Sequence, residues 1–407
     1  MPKNLPLFRA AKNGNEALVI LLLDRGADSN LRDERGRSPL WWAVTNGYEA
    51  VAKLLLDNGA DPNARDNIGQ TTLSRATTDI YFYPRLFVPW RKHRQTTHSP
   101  YTFIHNSCTE IGSHWDKIGQ TLLSKLDTKA FVGFRKSYPL AGGSLPAVHG
   151  PSMAIVELLL RNGADPNCKD TFDWTPLLWA TMNENISLAH LLLETCANPN
   201  SGDKDGLTAL SWAAGFGHEA LVRLLLEKGA NPNCKSMFGW TPLLWAVANE
   251  NTLITRLLLE KGADPNCRDK DDLTPLLYAV SDDQSVDVTL LLKKHADLNC
   301  KTISGRTPSL RSAGRGIYLT RLLLEKGADP NCRDKHGSTP LSCAASQADG
   351  EIIRLLLENG ADIDQVSSHC STTSGESDSD IASPRTIIER YIKKWEMEER
   401  TSSDQSI

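Results

Sequence analysis

The stretch TPLLWAVANENTLITRLLLEKGADPN, residues 241–266, decides the fold of this 407-residue chain. Thr241 is a typical helix N-cap, and Pro242 suits the first helical position because its missing N–H would have no partner there. Apolar residues then recur at helical spacing as far as Leu259. Gly262 follows them, where a helix end normally needs a left-handed residue. The stretch therefore predicts two short helices that end in a tight turn.

The turn at the end of this stretch recurs along the whole chain. Its copies begin at Gly26, Gly59, Gly163, Cys196, Gly229, Gly262, His295, Gly327 and Gly360. Most copies are 33 residues apart, one step is 32 and one is 104. A fixed period of this size is typical of a stacked solenoid, because one unit cannot bury its apolar face alone. Such a stack leaves an extended surface for binding.

Two copies of the turn depart from the pattern, because Cys196 and His295 replace the glycine. A non-glycine residue in the left-handed conformation costs about 1–2 kcal/mol. We therefore expect strain at both positions.

The Thr-Pro-Leu helix start, the triple-leucine second helix and the Gly-Ala-Asp-Pro-Asn turn resemble the ankyrin repeat, over residues 5–76 and about 149–365. The Thr-Pro-Leu-Leu-Trp-Ala form is similar to repeats of filamentous-fungal ankyrin proteins. The resemblance implies an all-α repeat solenoid, an ankyrin-repeat stack of helix-turn-helix units joined by β-hairpin fingers. The family usually has His after Pro-Leu, and its absence here puts the family's polar tie between neighbouring repeats in question. That position holds Trp41, Leu178, Ser211, Leu244, Leu277 and Ser342.

One repeat is interrupted. Thr71 lies 92 residues before Gly163, whereas a regular unit has 21 residues between Ser38 and Gly59. The extra segment carries nine Lys or Arg against four Asp or Glu, with 11 aromatic residues. Three interpretations remain open: an irregular insertion loop, a gene-model error such as translated intron sequence, or a loop that binds single-stranded nucleic acid or an acidic partner.

The pattern divides the chain into five segments. The acidic Ser-rich segment is expected to be mobile, and its Thr373 and Ser377 each precede an acidic residue by three positions, as acidophilic kinase sites do. The segments are 1–76, with repeats one and two and the start of the third; 77–148, the irregular basic–aromatic insertion; 149–365, further repeats; 366–383, the acidic Ser-rich segment; and 384–407, a degenerate C-terminal capping helix and tail.

Composition gives little support for nucleic acid or membrane as a partner. The net charge is −4, no apolar run is long enough to span a bilayer, and the first residues lack a signal peptide's apolar stretch. We therefore expect a cytoplasmic protein, with the nucleus as the alternative.

Cysteines recur at one repeat position. Neighbouring copies should lie about 8–10 Å apart, and a disulfide needs Cα atoms within about 7 Å. We therefore expect them to pack in the turn rather than form disulfides or a metal site. They are Cys168, Cys234, Cys267, Cys300 and Cys332.

The fingers are the expected place for a partner, because the resemblance implies contacts at finger tips and along the first helices. Apolar and charged fingers alternate, and large aromatic residues there are typical binding anchors. The alternative is that each ring folds back onto a neighbouring finger. A second set of aromatic residues shares one position within the first helices, and these residues are expected to pack in the core instead. They are Trp179, Trp212, Trp245 and Tyr278. The predicted binding residues are Phe172, Trp174, Met237, Phe238, Trp240, Lys204, Lys270, Lys235 and Arg268.

A column of cations occupies the base of the fingers. Like charges in a row favour an acidic partner by electrostatic steering, and the alternative is that each cation pairs with the aspartate that follows it. The column comprises Arg32, Arg65, Lys169, Lys235, Arg268, Lys301 and Arg333.

The chain contains no phosphate-binding loop, zinc-protease motif, nucleophile elbow or dinucleotide fingerprint in a suitable context. We therefore expect a monomeric, non-catalytic scaffold that binds a protein partner and needs no cofactor, metal or small-molecule substrate. The alternative is the recognition arm of a larger enzyme or NTPase receptor. Nucleic-acid binding through the basic insertion is a weaker third hypothesis.

Overall fold

A computed structural model describes residues 5–77, 152–170, 173–366 and 383–404. The chain divides into two units, Met1–Ala197 and Asn198–Ile407. Each described unit is built from pairs of short helices, which confirms the predicted solenoid of helix-turn-helix repeats. Phe172 lies outside the described residues, so its predicted role in binding stays a prediction.

In the first unit, the first helix of each pair packs on the first helix of the next pair where both are described, as α1 does on α3 and α3 on α5. The helices of this unit are α1 (Leu5–Lys12), α2 (Glu16–Asp24), α3 (Pro39–Thr45), α4 (Glu49–Asp57), α5 (Thr72–Thr77), α6 (Met153–Arg161), α7 (Pro176–Met182) and α8 (Ile186–Glu194).

The second unit repeats this arrangement. Its helices are α9 (Ala209–Phe216), α10 (Glu219–Glu227), α11 (Pro242–Ala248), α12 (Thr252–Glu260), α13 (Pro275–Ser281), α14 (Ser285–Lys293), α15 (Pro308–Ser312), α16 (Ile317–Glu325), α17 (Pro340–Ser346), α18 (Gly350–Glu358), a 3₁₀ turn (Ile363–Gln365) and α19 (Pro384–Asp404).

The first helix of a pair begins as the sequence predicts. The Thr241 hydroxyl accepts a hydrogen bond from the N–H of Leu244, at 3.3 Å, and Pro242 follows at the first helical position. A helix of seven residues is not stable alone in water. Its stability comes from burial, since every residue of α11 is buried.

The predicted left-handed turns are present at both exceptional positions. Cys196 has φ of 68° and His295 has φ of 62°. At the equivalent Gly229, an added Cβ would meet no heavy atom within 4 Å. The strain at these turns is therefore a backbone effect and not a steric clash.

An asparagine at the end of each turn joins it to the next turn. In the second unit, the amide of Asn233 donates to the carbonyl of Gly262 at 3.0 Å, and its oxygen accepts the N–H of Asp264 at 2.8 Å. We call this set the asparagine ladder. Its members with both bonds are Asn30 and Asn63 in the first unit and Asn200, Asn233, Asn266 and Asn331 in the second.

The ladder also joins the two described parts of the first unit that precede and follow residues 78–151. Asn63 donates to the carbonyl of Gly163 at 2.8 Å and accepts the N–H of Asp165 at 2.7 Å. Helix α5 also packs on α6 and on α7. Residues on the two sides of 78–151 are therefore neighbours, while the extent of the predicted insertion, 77–148, stays a prediction.

Four of the repeated cysteines, Cys168, Cys267, Cys300 and Cys332, pack against the N-cap threonine of a first helix, and the half-buried Cys234 lies beside Asn200. Cys267 Sγ lies 3.2 Å from the Thr241 hydroxyl oxygen, and Cys300 Sγ lies 3.2 Å from that of Thr274. Burial raises the pKa of Cys267 to about 12, so this thiol stays protonated. All seven described cysteines are free thiols.

The last pair of helices is covered by α19. Ile388 on α19 is fully buried in a cluster with Leu341 and Ile353. The Tyr391 hydroxyl donates to the carbonyl of Ala348 at 2.7 Å. The apolar end of the second unit is therefore shielded from water by a helix of different sequence.

One carboxyl group lies in the core of the second unit. Asp287 on α14 is 1% exposed, at the repeat position that holds the buried Leu221, Ile254 and Leu319 in neighbouring pairs. Neither of its oxygens makes a hydrogen bond of standard geometry. Burial raises the pKa of Asp287, although the nearby Thr252 hydroxyl acts to lower it.

We expect Cys196→Gly to raise the free energy of unfolding by about 1 kcal/mol, because glycine adopts the left-handed turn without strain. Urea denaturation of the purified chain measures this change. Gly229→Ala is the reverse control and should lose a similar amount. An unchanged or lower stability of Cys196→Gly would contradict the strain argument.

Asn233→Ala should lower the free energy of unfolding by about 1–2 kcal/mol, because it removes two hydrogen bonds between neighbouring turns. Thermal and urea unfolding provide the measurement. Asn249→Ala is the matched control, since Asn249 Nδ2 donates to the Trp245 carbonyl of its own repeat at 2.8 Å and to no other group of the described residues. Equal losses in the two variants would show that the ladder has no special weight.

Asp287→Leu should stabilise the chain by about 1–3 kcal/mol at neutral pH, because it removes a buried charge without a good partner. The folded state binds the Asp287 proton more firmly than the unfolded state does. The destabilising effect of Asp287 is therefore absent below its unfolded pKa of about 4 and grows as pH rises toward the raised folded pKa.

Urea denaturation of the wild type and of Asp287→Leu across about pH 3.5–8 tests this expectation. The gain from Asp287→Leu should widen with rising pH, and Asp287→Asn should show the same loss of pH dependence. A gain that is constant over this range would mean that the charge of Asp287 is not the cause.

Candidate partner-binding surface

Each turn leads into a short finger before the next helix pair. In the finger of residues 234–240, the N–H of Ser236 donates to the carbonyl of Trp240 at 2.9 Å. The described fingers contain isolated bridges, Arg65 with Thr71 and Gly202 with Thr208, so they are single-turn hairpins and not extended strands.

Neighbouring fingers of the second unit are joined at their tips. Met237 N–H donates to the carbonyl of Asp205 at 2.7 Å, and Lys270 N–H donates to that of Phe238 at 3.1 Å. The same bond recurs from Ile303 to Asp271 and from Lys335 to Ser304. One backbone bond per finger therefore fixes the spacing of the tips.

The side chains at this tip position are all exposed. They alternate between a lysine and an apolar residue, and Met237 and Ile303 are 48% and 52% exposed. We call this set the fingertip row. It consists of Lys204, Met237, Lys270, Ile303 and Lys335.

The aspartates at the finger bases point inward. Asp203 accepts the N–H groups of Asp205 and Leu207 at 3.0 and 2.9 Å, and the indole N–H of Trp212 at 3.2 Å. Burial raises the pKa of Asp203 to about 6, against the lowering effect of these hydrogen bonds. The carboxylate is therefore occupied by its own finger and the adjoining helix.

Two further fingers use their base aspartate in the same way. Asp269 accepts the Tyr278 hydroxyl at 2.9 Å, as well as two N–H groups of its finger. The Asp334 side chain is 1% exposed and lies 3.8 Å from Arg306. Two of the three base carboxylates are thus buried and Asp203 is half-buried, while the lysine and arginine residues of these fingers face solvent.

The aromatic anchors are not where the sequence placed them. Trp174 and Trp240 are only 7% and 2% exposed, so the expectation that they are exposed is wrong. Both rings pack on aromatic residues of the first helices, and not on a neighbouring finger as the alternative had it. The ring of Trp240 lies 4.6 Å from that of Trp245 and 5.2 Å from that of Tyr278. These rings are buried although they belong to short hairpins, because large aromatic rings gain stability when they pack against one another.

The other predicted binding residues lie on neighbouring fingers of the second unit. Met237 is exposed and Phe238 is half-buried, with the Lys270 ammonium 5.8 Å from its ring centroid. The remaining cations, Lys204, Lys235 and Arg268, are exposed.

The basic column is not paired as the local alternative expected. Arg32 donates to the carbonyl of Arg65 in the next repeat at 2.7 Å, instead of pairing with Asp33. Arg268 lies 3.7 Å from Asp272, not beside Asp269. Local pairing is therefore wrong at these two positions. In the second unit the column residues Lys235, Arg268, Lys301 and Arg333 are exposed.

The helix aromatics pack as expected, since Trp212 and Trp245 are 7% and 4% exposed. The bond from a helix aromatic to a finger aspartate was missed from the sequence. Its signal is an aspartate with Trp or Tyr nine residues later, as in Asp33 with Trp42, at 3.2 Å.

The described residues lack the features of two further classes of site. Within the described ranges, no three His, Cys, Asp or Glu side chains are grouped so that they could hold a metal ion. None of the described helices combines the length and the apolar character that a membrane span requires.

Comparison with known proteins gives a family. The model for ankyrin repeats, three copies, matches residues 2–66, 147–236, 231–302 and 287–367. A crystal structure titled as the ankyrin repeat domain of Bcl-3, a unique member of the IkappaB protein family, is 30% identical. That match spans 50% of this chain and 92% of the other, with a TM-score of 0.46. The comparison with curated proteins gave no match. Because the family model matches more than half of its residues, the chain belongs to the ankyrin repeat family.

Proposed function

We propose that this chain is a non-catalytic scaffold that binds a protein partner through the fingers of its second unit. Ankyrin repeats are generally protein–protein interaction modules. The observation that carries the proposal is the separation of charge in the fingers. The base aspartates Asp269 and Asp334 are buried and Asp203 is half-buried and hydrogen-bonded, whereas the cations are exposed. The surface is more basic than the sequence of the fingers suggests.

Five of the predicted residues are exposed, as this role requires, and a sixth, Phe238, is half-buried beside them. Met237 offers apolar area in the centre of the surface, and Met and Arg are enriched at protein interfaces. The surrounding cations would steer an acidic surface toward it. The six are Met237, Phe238, Lys204, Lys270, Lys235 and Arg268.

The buried tryptophans take a supporting role in this proposal. Trp240 packs between Trp245 and Tyr278. It would therefore hold the finger that carries Met237 and Phe238 in place. The alternative of a recognition arm for a larger enzyme or NTPase receptor would use the same surface. The predicted cytoplasmic or nuclear location suits either form of the proposal.

The test uses two baits, the full chain and the triple variant Lys204→Glu, Lys235→Glu and Lys270→Glu. It compares the proteins that each bait captures from a lysate of cells that naturally express this protein. We expect the variant to capture each specific partner in an amount at least tenfold lower than the full chain does, because each change reverses a positive charge on the proposed surface. Quantitative mass spectrometry measures these amounts.

The matched control is Arg256→Glu, Lys293→Glu and Arg321→Glu, which makes the same change in charge on the second helices of three repeats. These residues are also exposed. The control should retain the partners, and both variants should keep the melting temperature of the wild type within a few degrees. Equal capture by both variants would place the interaction elsewhere.

A further inference from the structure

The fingertip row fits one kind of ligand, and this inference rests on the proposed function. We propose that Lys204, Met237, Lys270, Ile303 and Lys335 bind an extended peptide segment of a partner. This segment carries an acidic residue at every sixth position and an apolar residue midway between the acids. It pairs its acids with the lysines and its apolar residues with Met237 and Ile303.

The spacing follows from the stacking of the repeats. Packed helices lie about 8–10 Å apart, and an extended chain advances about 3.3 Å per residue. One repeat therefore corresponds to about three residues of an extended peptide. Because lysine and apolar tips alternate along the row, the acids of the ligand recur after two repeats, or six residues.

The tips have the regular geometry that such a register needs. The four tip-to-tip hydrogen bonds, between 2.7 and 3.5 Å, link equivalent atoms along all five fingers. They continue through the repeat that is one residue short, since Lys335 N–H donates to Ser304 at 3.0 Å. The missing residue is lost in the helical part of the repeat, where α15 has only five residues.

Charge favours an acidic over a basic ligand. Asp205 and Asp271 follow two of the lysines, and Asp271 is exposed. Against them stand the three lysines of the row and the exposed column Lys235, Arg268, Lys301 and Arg333. Asp272 is half-buried and lies 3.7 Å from Arg268. The remaining finger acids, Asp203, Asp269 and Asp334, are bonded within the fingers or to the adjoining helices.

The test uses four synthetic peptides of thirteen residues and the full chain. The matched peptide has Glu at positions 1, 7 and 13, Leu at 4 and 10, and Ser elsewhere. It reads the same in both directions, so the binding direction need not be known. The compressed peptide has the same composition with Glu at 3, 7 and 11 and Leu at 5 and 9. The third replaces each Glu of the matched peptide by Lys.

Fluorescence anisotropy should give at least about tenfold tighter binding of the matched peptide than of the compressed or the Lys peptide. In the variant Lys204→Glu, Lys270→Glu and Lys335→Glu, the preference should reverse to the Lys peptide. A fourth peptide has the matched sequence with Ser in place of Leu at positions 4 and 10 and should bind the wild type more weakly. Met237→Ser with Ile303→Ser should abolish this difference between the matched and the fourth peptide. Circular dichroism and melting temperature confirm that both variants are folded.

Equal binding of the matched and compressed peptides, tighter binding of the Lys peptide to the wild type, or no binding at millimolar concentration would each overturn this inference. The proposed function is judged separately by the lysate capture. If the finger charge reversal abolishes capture while no peptide binds, the fingers recognise a folded surface and only the extended-peptide inference fails.

Discussion

The asparagine ladder is the interaction on which the regularity of each unit depends. An isolated helix pair exposes the backbone of its turn, and the next turn lies one repeat away with its own unpaired carbonyl and N–H. Asn233 satisfies both groups at Gly262 and Asp264 with one side chain. An amide is suited to this task because it offers a donor and an acceptor side by side. An ionised aspartate could not make both bonds, because its carboxylate has no donor.

The ladder sets the conditions for the rest of the surface. Once consecutive turns are held in register, the fingers that follow them start from equivalent points, and a single backbone bond can join one tip to the next. The bond from Met237 to Asp205 and its three successors are the result. The hydrophobic effect drives the helices together without direction, whereas these polar bonds select one register among the possible ones.

The two kinds of finger solve the same packing problem differently. A finger that closes with Leu207 places the carboxylate of Asp203 on the indole N–H of Trp212. A finger that closes with Trp240 instead lays one indole against another, at Trp245. In both, the aromatic residue of the helix anchors the finger. The exposed tip is thereby left to residues such as Met237, which have no role in holding the hairpin.

Much of the fold could be predicted from the sequence, because the residues that define each repeat act on near neighbours in the chain. Thr241 and Pro242 start a helix through contacts within four residues, and the left-handed turns at Cys196 and His295 follow from their alignment with glycine. The packing of the repeated cysteines follows from the same period. These features depend on chain neighbours and on the spacing of equivalent positions, both of which are visible in a single sequence.

The candidate surface depended on the tertiary structure. Trp240 could face solvent or pack on Tyr278, which lies 38 positions later in the sequence. Which of the two occurs depends on the space that the next repeat leaves. The direction of the Asp203 and Asp269 carboxylates likewise depends on aromatic partners in the adjoining helices. By itself the sequence determined the repeat, its helices and its turns. Only the assembled stack decided which charges are buried and which side chains form the exposed row, because burial is a property of neighbours in space.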